Sequence, residues 1–483
     1  MRDMLLVLNF DGDASRALTR KLRSEKVMCR IVPGNISLEE IQLLEPLGLV
    51  LAGGLAGDTP AGLDERLSRA NIPILALGSA AGTLLSALGG HVGDTLLESA
   101  VTNVHYQESP LFGEVEDGER LLQGVREWTL PDAAVQLCSA QEITLGFAHR
   151  EFPLYGIQFQ VEQNDPEGGM ILRNFAMNIC GCTAWWDENA FIEQAVDEIK
   201  RETGLGRAVC AMTGGLDSGV SALLAFKALG RNFKCIFVDT GLLREKETED
   251  FLSFYGDTLG MDIILIEARE RFLAALRGVT DPGQKRAILA DLIRRILREQ
   301  EAGLGPIDVL IRGTSLSDVM RGGKPLETSL GQGAKVIEPV RELFKEEIRR
   351  VGDSLGIPPE IVSRQPFPGG GLALRIMGEV NQQRLQTLRS ADAIFRAEVE
   401  FSNAGKRLWQ YFAVLFPMVE DESKSVICLR AVHASERSQT YAARLPYDVM
   451  ETVVDKIMSE NKDVCRVVYD LTPSSNYAGV EWQ

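Results

Sequence analysis

The sequence predicts an α/β protein of about three domains, and three observations point there. Strand-like and helix-like runs alternate over residues 4–179, continuous apolar runs in mid-chain suit parallel strands covered on both faces, and a Gly-Gly loop joins one of those runs to a helix. With 483 residues and 45% hydrophobic content, each domain has enough apolar side chains for a core of its own.

The first region opens on a strand-like run at 4–10, an amphipathic helix at 14–25 and a second strand at 27–32. Strands follow at 49–52, before Gly53-Gly54, and at 72–77, before a helix at 81–88. Short pieces at 128–130, 143–147 and 154–159 complete a doubly wound sheet, which 170–179 closes as a helix. A boundary is expected at 182–189. The second region starts with a helix at 190–202 and the strand into the Gly-Gly loop, followed by strands at 234–238, 263–266 and 309–311. Parallel order gathers the carboxyl ends of these strands, so that 213–218, 239–241 and 312–314 build one site. Gln365-Pro-Phe-Pro-Gly-Gly-Gly371 then punctuates the chain before a third region with strands at 425–429 and 465–469 around a helix at 447–459.

Composition narrows the function. A net charge of −17 argues against a nucleic-acid backbone as partner, since neutralising phosphates takes clustered Lys and Arg, but leaves room for one positive pocket that takes a small anion. No apolar run reaches the roughly 18 residues of a membrane span and no basic leader precedes the first strand, so no membrane partner and a cytoplasmic location are expected. The eight cysteines are scattered, and those at Cys210, Cys235, Cys428 and Cys465 sit in apolar runs that suit buried, reduced thiols. Cys180-Gly-Cys182 lacks a second pair, and with only four histidines a His-rich metal site is not expected.

The most telling stretch is Val209-Cys-Ala-Met-Thr213-Gly-Gly-Leu-Asp-Ser218. Gly214 and Gly215 allow backbone N–H groups to approach an anion, Ser218 adds a hydroxyl, and the following helix aims its positive end at the same spot. Asp217 is the candidate ligand for the Mg²⁺ that accompanies a polyphosphate. No Gly-Lys-Ser/Thr follows and the G-x-G-x-x-G spacing is absent, so this is neither a Walker loop nor a dinucleotide fingerprint. ATP is the expected ligand; a tight strand-to-helix turn with no ligand is the plain alternative.

Taken together, the motifs resemble the GMP synthetase family, which aminates XMP with ATP and glutamine. Thr213-Gly-Gly-Leu-Asp-Ser218 is similar to that family's Ser-Gly-Gly-Val-Asp-Ser, Phe237-Val-Asp-Thr-Gly-Leu-Leu-Arg244 to its Phe-Val-Asp-Asn-Gly-Leu-Leu-Arg, and Arg364-Gln-Pro-Phe-Pro-Gly-Gly-Gly-Leu372 to its Arg-His-Pro-Phe-Pro-Gly-Pro-Gly-Leu. Leu429-Arg-Ala-Val432, Leu445-Pro-Tyr-Asp448, Arg466-Val-Val-Tyr-Asp470 and Glu481-Trp482 extend the likeness to the end. The resemblance implies a class I glutamine amidotransferase-like domain at 1–185, an N-type ATP pyrophosphatase domain at 190–380 and an α+β dimerisation domain at 381–483, hence a homodimer. It implies ATP and pyrophosphate contacts at Thr213, Gly214, Gly215, Leu216, Asp217, Ser218, Val238, Asp239, Gly313 and Lys345, with Asp217 and Lys345 central to catalysis. Asp239 capping a turn and Lys345 on a solvated helix face are the structural alternatives.

Two parts of the pattern break. The family's glutaminase uses a Cys on a strained elbow with a His-x-Glu pair. Alignment puts Gly78 at the Cys position with Ser79 one step late, and Gln160 at the His position with Glu162 retained. No glutaminase activity is expected, and the amine would be ammonia from solution or from a separate glutaminase. The acceptor side also differs: the lid between Asp318 and Glu338 is short and lacks histidine, and Ser474-Ser-Asn-Tyr-Ala-Gly-Val-Glu481 supplies neither the lysine nor the threonine that the family sets on the XMP phosphate. Losing that lysine removes roughly 1.5–3 kcal/mol of charge-assisted binding unless Arg321, Lys324 or Arg375 compensates. Arg312, Asp318, Arg375 and Glu481 are the acceptor-side candidates. The expected function is adenylation of XMP or a related oxo-purine nucleotide for amination; a paralogue with another acceptor and a nucleotide-binding regulatory pseudoenzyme are the alternatives.

Overall fold

A computed structural model describes residues 3–55, 63–96, 100–162, 166–320, 330–331, 333–365, 367–402, 404–418, 420–421, 423–434 and 440–473. The chain divides into two compact units, Met1–Phe191 and Ile192–Gln483.

In the first unit the strands are β1 (Leu5–Asn9), β2 (Cys29–Pro33), β3 (Gly48–Ala52), β4 (Ile74–Leu77), β5 (His91–Leu96), β6 (Ala100–Tyr106), β7 (Gly118–Leu122), β8 (Arg126–Thr129), β9 (Ala134–Ala140), β10 (Ile143–His149) and β11 (Leu154–Ile157). Nine of them form one sheet in the order β2-β1-β3-β4-β11-β10-β9-β6-β7, parallel from β2 to β11 and antiparallel beyond, while β5 pairs with β8. Helix α1 (Gly12–Ser24) starts where the Asp11 carboxylate accepts from the N–H groups of Asp13 and Ala14. Helix α2 (Leu38–Leu44) carries a capping box between Ser37 and Glu40. The expected strands at 27–32, 49–52 and 72–77 are present, whereas β5, β6, β7 and β9 were not foreseen, and the strand expected at 128–130 to complete the main sheet pairs with β5 instead. The helix expected at 170–179 is α4 (Pro166–Arg173) running into a π turn at Asn174–Ile179. Helix α3 (Ser79–Ala87) follows β4 with no residue between them but Gly78.

Helix α5 (Glu188–Thr203) spans the division between the units. The second unit holds a five-stranded, all-parallel sheet in the order β14-β13-β12-β15-β16, from β12 (Ala208–Met212), β13 (Phe233–Asp239), β14 (Ile263–Glu267), β15 (Val309–Ile311) and β16 (Lys335–Ile337). The strand order reverses at β12, whose neighbours β13 and β15 lie on opposite sides, and such a switch point opens a crevice at the carboxyl ends. Helices α6 (Leu216–Leu229), α7 (Glu247–Phe251), α8 (Arg269–Ala275), α9 (Pro282–Leu304), α10 (Leu316–Met320), α11 (Lys345–Ser354) and α12 (Pro359–Val362) connect and cover it. Beyond lie α13 (Gln382–Phe401), β17 (Gln410–Pro417), β18 (Ser425–Ala434), β19 (Thr440–Ala442), α14 (Tyr447–Glu460) and β20 (Val464–Tyr469), with the strands in one sheet around β18.

No gap in packing separates the two sheets of this unit. Ile236 and Leu310 from the first, Leu372, Ile376 and Phe395 from the joint, and Leu415 and Leu429 from the second share one buried cluster. All eight cysteines are free, and Cys465 is exposed, not buried: the pairing of β20 with β18 passes from Val464 to Arg466, leaving Cys465 as the extra residue of a bulge. Among the described residues no helix is long and apolar enough to cross a membrane, and no cluster of three or more His, Cys, Asp or Glu side chains is placed to hold a metal ion.

Candidate active site

The loop after β12 turns sharply because Gly214 sits at φ +79°, a conformation that L side chains rarely adopt. Gly215, in extended backbone, then occupies the N-cap of α6 without a side chain to satisfy the first helical N–H groups. These donors point from a 14-residue helix into the crevice and are free for an anion. Ser218 Oγ donates to Gly215 O at 2.9 Å and receives Thr213 N–H at 3.4 Å, with Thr213 Oγ1 at 3.3 Å, so the two hydroxyls brace the loop from inside. Leu216 points away and packs toward Gly352 of α11.

The loop after β15 meets the same spot. A Cβ on Gly313 would lie 2.5 Å from Ser218 N and 2.7 Å from Asp217 C, so only glycine allows the 312–314 backbone to approach the start of α6. Arg312 donates its backbone N–H to Ile337 O, and its buried Nε has no hydrogen-bond partner. Thr314 donates to Glu338 at 2.6 Å.

Lys345, the first residue of α11, forms an ion pair with Asp217 and lies 3.9 Å from Asp318. Its side chain is paired with the Asp217 carboxylate while still 41% exposed to solvent. Burial pushes the Asp217 carboxyl above its ordinary pKa, and the Lys345 ammonium offsets this only in part. Asp318 also accepts from the Ser315 N–H at 3.0 Å and hydroxyl at 2.6 Å, capping the first turn of α10.

Asp239 ends β13 almost wholly buried, with both carboxylate oxygens engaged: Oδ1 accepts from Gly241 N at 2.8 Å, and Oδ2 takes Arg269 Nε at 2.7 Å and Nη2 at 2.6 Å. In this conformation the carboxylate caps a turn. Val238, one residue earlier, pairs with Ile266 inside the sheet. Arg269 was not foreseen, although the register of Asp239 opposite Glu267 places residues just past β14 beside this carboxylate.

Gly313, Lys345 and Asp318 thus gather at the phosphate loop, whereas Asp239 is engaged by Arg269 and Gly241. Arg375 does not face a crevice: it is 1% exposed, 3.4 Å from Asp392, with its guanidinium over the rings of Phe412 at 4.1 Å and Phe367 at 5.1 Å. Burial lowers its pKa to about 9. As a free cation for an acceptor phosphate it is corrected by this geometry. Glu481, Arg321 and Lys324 lie outside the described residues.

In the first unit, Gly78 has φ +58° and ψ −132° between β4 and α3, a strained elbow without a side chain. A Cβ there would lie 2.3 Å from Gly54 O and 2.7 Å from Gly53 O, so backbone fills the volume of a nucleophile. The Ser79 N–H, the position that ordinarily serves an oxyanion, donates to Gly54 O at 2.9 Å. Gln160 and Glu162 follow β11, whose Ile157 O accepts from Gly78 N at 2.9 Å.

Comparison with known proteins agrees along the whole chain. A family described as NAD synthase matches residues 185–400, and one described as GMP synthase C terminal domain matches 397–482. The GMP synthase [glutamine-hydrolyzing] of Caldicellulosiruptor saccharolyticus is 37% identical over 509 residues, spanning 100% of this chain and 99% of that protein. The Clostridium perfringens protein of the same name is 36% identical over 515 residues, with 100% of both chains covered. Among solved structures, a glutamine amidotransferase from Thermotoga maritima aligns with 42% of this chain and 86% of its own at 16% identity and a TM-score of 0.29.

Proposed function

Since this chain belongs to the GMP synthase family, we propose that it is a cytoplasmic ATP-dependent C–N ligase that adenylates XMP or a related oxo-purine nucleotide for amination by ammonia, with no glutaminase of its own. The observation that carries the reading is the contrast between a phosphate loop with free helix donors and an elbow whose nucleophile volume is filled by the Gly53 and Gly54 carbonyls.

On this reading the N–H groups at the start of α6 fix the β- and γ-phosphates, and the Ser218 hydroxyl holds the loop in shape. Asp217 is the carboxylate placed to hold Mg²⁺, which when bound supplies charge neutralisation on the departing pyrophosphate. Lys345 then transfers from Asp217 to a phosphate oxygen, exchanging one anionic partner for another. An acceptor oxygen attacks the α-phosphorus as the bond to pyrophosphate breaks; ammonia next attacks the activated carbon, AMP leaves with the C–O electron pair, and the surplus proton passes to solvent. Val238, Asp239 and Gly313 border the nucleotide, and Arg312, whose buried Nε has no hydrogen-bond partner, is a candidate cation for the acceptor side.

Arg375, turned inward onto Asp392, favours a second reading in which the acceptor is not XMP. Pyrophosphate release from Mg-ATP and ammonium, measured across XMP, other purine nucleotides, nucleosides and bases, separates the two. Release with XMP supports the first reading, release only with another purine supports the second, and none with any of them rejects the ligase.

A further inference from the structure

The segment after β13 is held by one face of α13. Arg389 Nη2 donates to Gly241 O at 2.6 Å and Nε to Leu243 O at 3.0 Å. Between them, Leu242 O accepts from Leu372 N at 2.8 Å, where Gly371 at φ +61° is the residue that permits the approach, a Cβ there lying 2.4 Å from that carbonyl. One turn along α13, Asp392 Oδ2 lies 3.6 Å from Arg244 Nε, while Oδ1 accepts from Ala413 N of β17 at 3.0 Å. Gly241, Leu243 and Arg244 are thus clamped by α13 of the third region, and Leu242 between them by Leu372. The same segment borders the ATP site at both ends. Gly241 N binds the Asp239 carboxylate, and the Leu243 side chain lies 3.6 Å from where a Cβ on Gly214 would be.

We propose that Arg389 is a positioning residue for ATP: through the carbonyls of Gly241 and Leu243 it sets the wall of the phosphate loop, and so ties nucleotide affinity to the third region. The inference rests on the ATP-site reading given above. Arg389 is half-buried, with burial and the neighbouring Arg269 cation lowering its pKa and Asp239, Glu245 and Glu249 opposing them. Its planar fork reaches two carbonyls that a lysine ammonium on a flexible stem does not hold in the same way.

Calorimetric titration of the full chain with Mg-ATP tests this, alongside steady-state kinetics. Arg389→Met is expected to weaken ATP binding and raise KM for ATP about tenfold or more, with kcat changed less than about threefold. Arg389→Lys should fall between, and Arg271→Met, which loses an exposed pair with Glu299, should match the wild type. Wild-type affinity in Arg389→Met overturns the proposal alone; a wild-type chain that binds no Mg-ATP overturns the ATP-site reading with it. If Arg389→Met does not fold, Arg389→Lys decides, and unchanged affinity in that variant overturns the role.

Discussion

Single positions in this chain are settled by the volume of a methyl group. At Gly78 the elbow backbone of a nucleophile persists, yet the carbonyls of Gly53 and Gly54 occupy the place of any side chain. Gly78→Cys should therefore fail to release glutamate from glutamine and should destabilise the first unit by about 1–3 kcal/mol, read by thermal denaturation. Asp217 makes a different trade. Burial raises its folded pKa above 3.8, so the folded chain binds the proton more readily; the contribution to stability is complete below about pH 4 and is lost as pH rises through the folded value. Asp217→Asn should melt higher than the wild type near pH 7, with the difference closing below about pH 4, while pyrophosphate release falls by about 100-fold or more. A variant that melts lower at neutral pH would contradict the assignment.

Elements show how much of this was legible beforehand. The five-residue run into the phosphate loop and the strands at 234–238, 263–266 and 309–311 were readable because parallel strands buried on both faces are continuous apolar runs. Strand β7, Gly-Glu-Arg-Leu-Leu, and β16, three residues long, give no such signal, since edge strands are short and half polar. Strand β17 does carry one, Tyr411-Phe-Ala-Val-Leu-Phe416, which the sequence reading of the third region left out. The phosphate loop was visible as a motif, with Gly313 and Lys345 among its expected neighbours, but the cations that hold the adjoining 239–243 segment were not. Arg269 and Arg389 lie 30 and 150 residues from Asp239, and only the register of β13 and the packing of α13 bring them together. Lys285 of α9 is likewise silent in sequence. Fully buried, it donates to Ala373 O at 3.2 Å, Ile376 O at 2.7 Å and Gly378 O at 2.7 Å, fastening the turn between the two sheets. Lys285→Met should leave three carbonyls without a donor and lower stability by about 3 kcal/mol or more in a urea titration.

At the scale of the whole molecule, the chain divides at 191 into two compact units. The buried clusters of the two units have no residue in common, and every candidate ATP contact falls in the second. Residues 192–483 expressed alone should fold and retain pyrophosphate release within about threefold of the full chain when ammonium is supplied. Loss of the fold, seen as a missing cooperative melting transition, would show that the first unit is needed as a scaffold. We also read the region from 381 onward as a dimerisation module, for which sedimentation should give twice the mass of 53.1 kDa. The central claim is that ATP activation survives where glutamine hydrolysis does not. Its most direct test is pyrophosphate release from the full chain with Mg-ATP and its acceptor, run in parallel with saturating ammonium and with saturating glutamine. Turnover with ammonium and none above background with glutamine is the predicted result; equal turnover with both would contradict it.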